Sequence, residues 1–239
     1  DDPKVQAVRD SLGVSPDQLM LLTVGGDACS KGAREVMQAL PGLEGKVPDW
    51  KYICKVWPQP RTRLQNEADL ELAVHLGIDD RVLYVTSIAS RDYMPFLINA
   101  CDIYVAPSRL EGFGMPQVEA GACGKPVIGI NAMGMLDTLV HGETALLANV
   151  AEKITVSEVI LGLESGFATN HKVRFGTPRT VDYRADVDDI RNHLERLMND
   201  AAYRDQLGKA ARQRVIEKFD YRVVARQFVQ LVSEKLNLH

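Results

Sequence analysis

Short apolar segments alternate with amphipathic segments along most of the chain. The apolar segments, which read as buried strands, are Leu19–Val24, Tyr52–Val56, Arg81–Thr86, Ile103–Ala106, Lys125–Ile130 and Ala145–Leu147. The amphipathic segments Ala33–Leu40, Arg61–His75 and Met94–Ala100 are predicted as helices. This alternation requires right-handed crossovers, so we predict an α/β fold with a Rossmann-like parallel sheet of about six strands and flanking helices. A ligand of such a sheet binds outside the carboxyl ends of the strands.

The segments outside this core are less regular. Residues 1–18 are predicted as a linker and a leading helix, and residues 19–150 as the Rossmann-like core. Residues 151–185 lose the pattern and are interpreted as a loop or a short β excursion, with an alternating stretch at Lys172–Phe175 and a turn at Gly176–Pro178. Residues 186–239 are predicted to supply three closing helices, at Val187–Met198, Tyr203–Phe219 and Tyr221–Leu236.

The composition excludes several classes of partner. The chain has 239 residues, 46% of them hydrophobic and 25% charged, and a net charge of −4, so no basic field recruits nucleic acid or an anionic membrane. No apolar run approaches the ~20 residues of a membrane span. Four cysteines without a CxxC pair indicate free thiols in a reducing cytoplasm, and the five histidines show no metal spacing. Because the chain opens on Asp1 and not on methionine, we expect a fragment or a processed piece.

A glycine-rich loop follows the first predicted strand. The sequence GGDACSKG joins that strand to a helix, an arrangement that commonly holds phosphate. It lacks the GxxxxGK[ST] of a P-loop and the GxGxxG of a dinucleotide fold. A nicotinamide-dependent dehydrogenase is therefore disfavoured.

The stretch Pro107–Ile130 carries the strongest chemical pattern. Glu111 opens a loop with two glycines, and a helix is predicted to start at Met115. Because helical side chains lean toward the N-terminus, Glu119 is expected to share a crevice with Glu111. A helix N-terminus between two carboxylates suits a ligand that is half phosphate and half sugar.

The string PS-x-x-EGFG-x-P-x-x-EA-x-A-x-G-x-PVI resembles the glutamate–seven–glutamate signature of retaining glycosyltransferases of the GT-B fold, family four. The resemblance implies that this chain is the carboxy-terminal, donor-binding half of a GT-B enzyme. It assigns Glu111 to the donor sugar, as the catalytic position, and Glu119 to the ribose hydroxyls. It assigns contacts with the sugar and the diphosphate to Gly112, Phe113, Gly114 and Met115.

The first glycine loop matches the same family only in part. The family pattern G-R-x-x-x-x-K-G places Gly25 and Lys31 at the diphosphate, whereas Gly26 stands where the family often has arginine. Lys31 then supplies one charge-assisted contact. Lys55, at the carboxyl end of a strand, is either the replacement for that arginine or a plain strand-end lysine.

The resemblance also places the nucleobase against Thr86, Ser87 and Ile88. It implies a nucleoside diphosphate sugar as substrate, linked to UDP, GDP or ADP, with no cofactor and no metal. It further implies an absent amino-terminal domain that holds the acceptor. The protein is expected in the cytoplasm, and any contact with a membrane would be made only by that absent domain. The isolated chain is expected to bind nucleotide and to turn over little. A GT-B nucleotide-sugar epimerase and a non-catalytic nucleotide-sugar-binding module remain as alternatives.

Overall fold

The centre of the protein is a six-stranded parallel sheet. In the computed structural model, which describes residues 2–161 and 169–236 except for the side chains of residues 60–62, the strand order is β3-β2-β1-β4-β5-β6. The strands are β1 Leu19–Val24, β2 Trp50–Val56, β3 Val82–Thr86, β4 Ile103–Val105, β5 Val127–Ile130 and β6 Leu146–Ala148. Each was predicted to within two residues, which confirms the α/β fold.

Nine helices in the described residues cover the sheet and extend from it. They are α1 Pro3–Ser11, α2 Ala33–Ala39, α3 Pro60–His75, α4 Met94–Ala100, α5 Met115–Ala122, α6 Met135–Thr138, α7 Val187–Asn199, α8 Ala201–Lys218 and α9 Tyr221–Leu236. Aspartate side chains cap three of them, with Asp2, Asp186 and Asp200 each accepting from a backbone N–H of the first turn. These helices and the sheet bury one core that includes Trp50, Tyr52 and Tyr104.

The strand order reverses between β1 and β4. From β1 the chain moves outward to β2 and β3, and from β4 it moves in the opposite direction to β5 and β6. The loops that leave β1 and β4 therefore diverge, which opens a crevice at the carboxyl ends of these neighbouring strands. The two glycine loops of the sequence follow these two strands.

Residues 150–185 include a two-stranded antiparallel sheet, so the β alternative of the prediction describes this segment, in a longer form than expected. Its strands are β7 Val150–Leu161 and β8 His171–Ala185. The predicted turn at Gly176–Pro178 is wrong, because these residues lie inside β8. A two-stranded sheet consists only of edge strands, so a proline costs little there. The base of the sheet is fixed to the core, since the Tyr183 N–H donates to the Arg109 carbonyl at 2.8 Å.

The last helix, α9, leaves its apolar side exposed. In α7 the apolar residues Ile190, Leu194 and Leu197, which recur at the helical period, are fully buried. In α9 the corresponding residues Val224 and Phe228 are 47% and 66% exposed.

Within the described residues, no helix has both the length and the apolar content that crossing a membrane demands.

Candidate functional site

The crevice at the switch point is bordered by the loop after β1 and the loop after β4. Gly32 has a φ of 81°, and a Cβ there would overlap the carbonyl oxygen of Pro107. A Cβ on Gly25 would lie 2.7 Å from Cγ of Lys31. Glycine at position 32 therefore allows the two loops to approach each other closely, and glycine at position 25 makes room for the Lys31 side chain within its own loop.

An ion pair joins the two loops inside the crevice. Lys31 Nζ lies 2.5 Å from Glu111 Oε2, and both side chains are largely buried. Burial alone would raise the pKa of Glu111. The hydrogen bond and the charge of Lys31, with the backbone N–H groups of Gly114 and Phe113, outweigh burial and hold that pKa below its ordinary value. The two charged residues predicted at the donor thus lie together, and Glu111 is ionised at neutral pH.

The loop that carries Glu111 is fixed by its contacts on two sides. Gly114, with a φ of 84°, precedes α5, and a Cβ there would lie 2.8 Å from Cε of Met135. Gln117, buried in α5, donates to the carbonyl of Ala106 at 3.2 Å and to Ser108 Oγ at 3.1 Å. The amides at the start of α5 are therefore held in a fixed direction before any ligand binds.

Glu119 lies in α5, the helix that follows the loop of Glu111, and it is exposed. Its carboxylate has no hydrogen bond to any residue that the structure describes. Desolvation raises the pKa of Glu119, and the charge of Arg91 opposes that shift. Burial raises the pKa of Tyr104, and the charges of Glu119 and Glu111 both raise it further. The placement of the two glutamates around one ligand stays a prediction.

The end of α8 supports the loop from outside. The rings of Phe113 and Phe219 meet edge to face with centroids 5.6 Å apart. Arg214, one turn before Phe219, donates to the carbonyls of Thr138 and Asp137 at 2.9 and 3.0 Å. The end of α8 therefore helps to hold the loop of Glu111 and the segment around α6 in place.

A buried network beside the crevice was not predicted. Arg109 Nη2 lies 2.7 Å from Glu35 Oε1, and both residues are buried. Arg109 also donates to Cys29 Sγ at 3.1 Å, and Arg184 of β8 reaches Glu35 at 3.3 Å. The network joins α2, the loop before Glu111 and the base of the β7–β8 sheet. Arg109 lies two residues before Glu111, but no local pattern in the sequence indicates its pairing with Glu35.

Lys55 and the segment Thr86–Ile88, which was predicted to contact the nucleobase, have other contacts in this structure. Lys55 is buried, and its ammonium group donates to the Val56 carbonyl at 3.1 Å and to the Ser87 carbonyl. It therefore connects the ends of β2 and β3, and burial lowers its pKa. Thr86 lines a cleft on the α3 side, and Ile88 is 85% exposed. Donor binding by these four residues stays a prediction.

A second cleft lies on the other side of the β1 loop. It has a volume of about 580 Å³ and is lined by Gly26, Asp27, Cys29, Ser30, Trp57, Gln59, Gln65, Arg109, Leu110, Val181 and Asp182. A Cβ on Gly26 would lie 3.5 Å from the Trp57 ring, so a side chain fits at this position without overlap. Among the described residues, no group of three or more His, Cys, Asp or Glu side chains is placed to hold a metal ion.

Known proteins resemble this chain in sequence and in fold. A profile of the family described as Glycosyl transferases group 1 matches residues 4–176. D-inositol 3-phosphate glycosyltransferase 2 of Catenulispora acidiphila is 28% identical over 195 residues, which are 76% of this chain and 45% of that protein. The chain therefore spans about half the length of the curated relatives it matches.

Two crystal structures illustrate the likeness in fold. Anabaena Alr3699/HepE in complex with UDP and glucose has a TM-score of 0.73 at 18% identity, over 98% of this chain and 52% of that one. The C-terminal domain of a glycosyl transferase group 1 family protein (LpcC) from Francisella tularensis has a TM-score of 0.67 at 19% identity, over 90% of this chain and 93% of that domain. At these identities the likeness establishes the fold.

Proposed function

The chain belongs to the glycosyl transferases group 1 family, and we propose that it is the donor-binding half of a retaining glycosyltransferase that moves a hexosyl unit from a nucleoside diphosphate sugar. Its Rossmann-like sheet is one half of the GT-B fold. The observation that carries the proposal is the Lys31–Glu111 ion pair, which lies at the switch point beside the N-terminus of α5. A cation, a helix N-terminus and carboxylates suit a phosphate joined to a sugar.

Each group has one proposed role. Lys31 and the amides from Gly112 to Met115 neutralise the diphosphate as it leaves, which is the electrostatic share of catalysis. Glu111 orients the sugar hydroxyls. Glu119 accepts hydrogen bonds from the two ribose hydroxyls, since a carboxylate has lone pairs for both. The absence of a hydrogen bond from Glu119 to the described residues supports this role.

UDP is the nucleotide that we propose. The support is indirect: one structure with the same fold is described as a complex with UDP and glucose. Thr86, Ser87 and Ile88 would line the uracil ring. GDP and ADP are the comparators in every binding measurement.

A second domain is proposed to hold the acceptor. The exposed apolar side of α9, with Val224, Phe228 and Leu231 about half exposed or more, supports a partner surface there. The relatives are about twice as long as their match to this chain, which makes a further domain of the same protein the occupant that we propose. Under this proposal the chain alone binds nucleotide and transfers little sugar. Appreciable transfer by the purified chain would contradict it.

The test is calorimetric titration of the chain with UDP, GDP and ADP, repeated on Glu119→Ala. Loss of charge-assisted hydrogen bonds worth about 1.5–3 kcal/mol predicts a Kd that is weaker by roughly 10- to 100-fold. The control is Glu71→Ala, which removes an exposed glutamate of α3. Equal UDP affinity in Glu119→Ala and the parent chain would refute the ribose assignment. Unchanged binding after addition of EDTA is expected, because the proposed site uses cations of the protein and no metal.

Gly26 favours a second candidate function, a non-catalytic nucleotide-sugar-binding module. A site with one diphosphate cation stabilises a leaving diphosphate less than a site with two. Substitution of Glu111 by Gln in the full-length protein separates the candidates. It abolishes sugar transfer under the first proposal and leaves the biological activity intact under the second.

A further inference from the structure

The cleft beside the β1 loop, here called the Trp57 cleft, has three walls from distant parts of the chain. One wall is the β1 loop from Gly26 to Ser30, and the second is the segment Trp57–Gln59 with Gln65 of α3. The third combines Arg109 and Leu110 with Val181 and Asp182 of β8. Because β8 supplies one wall, the cleft depends on the β7–β8 sheet.

Trp57 presents a large aromatic surface in this cleft. It is 56% exposed, whereas Trp50, the other tryptophan of the chain, is 1% exposed. Its backbone is fixed, since its N–H donates to the Gly26 carbonyl at 3.1 Å and its carbonyl accepts from the Gln59 N–H at 3.0 Å. An indole ring held at a cleft wall offers a flat apolar face of the kind that the C–H side of a pyranose ring covers.

The polar side chains around Trp57 can form hydrogen bonds with both donors and acceptors of a ligand. Asp182 Oδ1 is shielded from solvent and has no hydrogen-bond partner, although Oδ2 pairs with Arg184 at 2.8 Å. Within the described part of the chain, the side-chain amides of Gln59 and Gln65 make no hydrogen bond. A buried acceptor without a partner costs free energy, and a turn of the Asp182 carboxyl toward the cleft would let a ligand hydroxyl satisfy it.

The charges of the cleft disfavour an anion. The Arg109 guanidinium is already engaged by Glu35 at 2.7 Å. Asp27 and Asp182 add two carboxylates, and Asp27 accepts from the Ser30 N–H at 2.6 Å and from its hydroxyl at 2.9 Å. A phosphate or carboxylate ligand would meet these negative charges without a free cation among the described lining residues.

We propose that the Trp57 cleft binds one uncharged pyranose residue of the acceptor, while the further domain holds the rest of the acceptor. The inference rests on the proposed function, because it takes the neighbouring crevice as the donor site. The two spaces share walls: Gly26 follows Gly25, and Leu110 precedes Glu111. The pyranose stacks on Trp57, donates a hydroxyl hydrogen to Asp182 and exchanges hydrogen bonds with the two glutamines.

Tryptophan fluorescence of the purified chain tests the inference, with Trp50 as a buried internal reference. Methyl α-D-glucopyranoside, methyl α-D-mannopyranoside and methyl β-D-galactopyranoside are titrated with and without saturating UDP. We expect at least one glycoside to change the tryptophan emission in a saturable way, both in the absence and in the presence of UDP. Saturation-transfer NMR measures the same binding in variants. Trp57→Ala should weaken it at least tenfold, Trp57→Phe should weaken it less, and Asp182→Asn should weaken it several-fold.

The control is Glu152→Gln, which changes an exposed carboxylate of β7 outside the cleft and should leave glycoside binding unchanged. Binding of UDP without binding of any glycoside would overturn this inference and leave the donor proposal standing. If the chain binds a glycoside but does not bind UDP, the donor proposal is contradicted instead. Stronger binding of D-inositol 3-phosphate or inorganic phosphate than of any glycoside, lost in Trp57→Ala, would also overturn the neutral-sugar assignment.

Discussion

Substitution of Glu35 by Gln tests whether the buried network holds the loop of the candidate site. Glu35 and Arg109 have side-chain exposures of 7% and 10%, and their closest atoms lie 2.7 Å apart. The variant keeps the shape of the side chain and removes its charge. Arg109 then stays buried without a carboxylate.

The structure sets the expected size of the effect. Breaking one partner of a buried ion pair costs about 3–5 kcal/mol, and a hydrogen bond kept by Gln places this variant near the lower end of that range. Arg184 reaches the same carboxylate at 3.3 Å but is 26% exposed. Arg184→Met removes this contact and the pair with Asp182 at 2.8 Å, but both involve a partly exposed arginine, so it should cost about 1 kcal/mol. The two variants should differ by roughly 2 kcal/mol in the free energy of unfolding.

Urea denaturation of both variants measures these values, provided that the m-values stay equal. UDP affinity is measured in the same preparations. We expect Glu35→Gln to weaken UDP binding, since Arg109 lies two residues before Glu111. A free energy of unfolding within about 1 kcal/mol of the parent chain, or an equal loss in Arg184→Met, would refute the reasoning.

Three further predictions concern the crevice. Gly32→Ala should destabilise the chain by several kcal/mol more than Gly45→Ala in thermal unfolding, because both positions have positive φ but only Gly32 has backbone in the way of a Cβ; equal losses would contradict the close approach of the two loops. The lowered pKa of Glu111 adds stability above its ordinary value of 4.5, and this stability is lost as the pH falls through the folded-state pKa. Glu111→Gln should therefore flatten the acid limb of unfolding, and an unchanged limb would count against the Lys31 contact. Gly26→Arg should fold, because its Cβ only touches the Trp57 ring, and should bind UDP about tenfold tighter in calorimetry; unchanged affinity at low salt would show that the second cation is not what the site lacks.

The sheet and the order of its elements were predictable because the hydrophobic period and the length of each segment distinguish strands from helices in a parallel α/β core. Apolar runs such as Leu19–Val24 are buried on both faces, so their bounds are visible in the sequence. The proximity of Lys31 and Glu111 was also predictable, since both follow strands that meet at the switch point. The assignment of these residues to a donor depends on the family resemblance and stays a proposal.

Long-range pairing was not predictable from one sequence. Nothing local indicates that Glu35 meets Arg109, or that the Lys55 ammonium group lies against backbone carbonyls instead of facing the crevice. The length of the β7–β8 sheet was not predictable for a related reason, because Gly176 and Pro178 are turn residues by composition. Two edge strands tolerate them, and only the pairing partner reveals the strand.

The contact between Phe113 and Phe219 has a consequence for the order in which the protein matures. The last strand of the central sheet ends at Ala148, so the sheet can form while the chain is still being synthesised. Phe113 then lacks its ring partner until the end of α8 has emerged, roughly a hundred residues later along the chain. The scaffold is thus complete before the loop beside Glu111 gains its outer support. A nascent chain interrupted before α8 would carry the sheet without this contact.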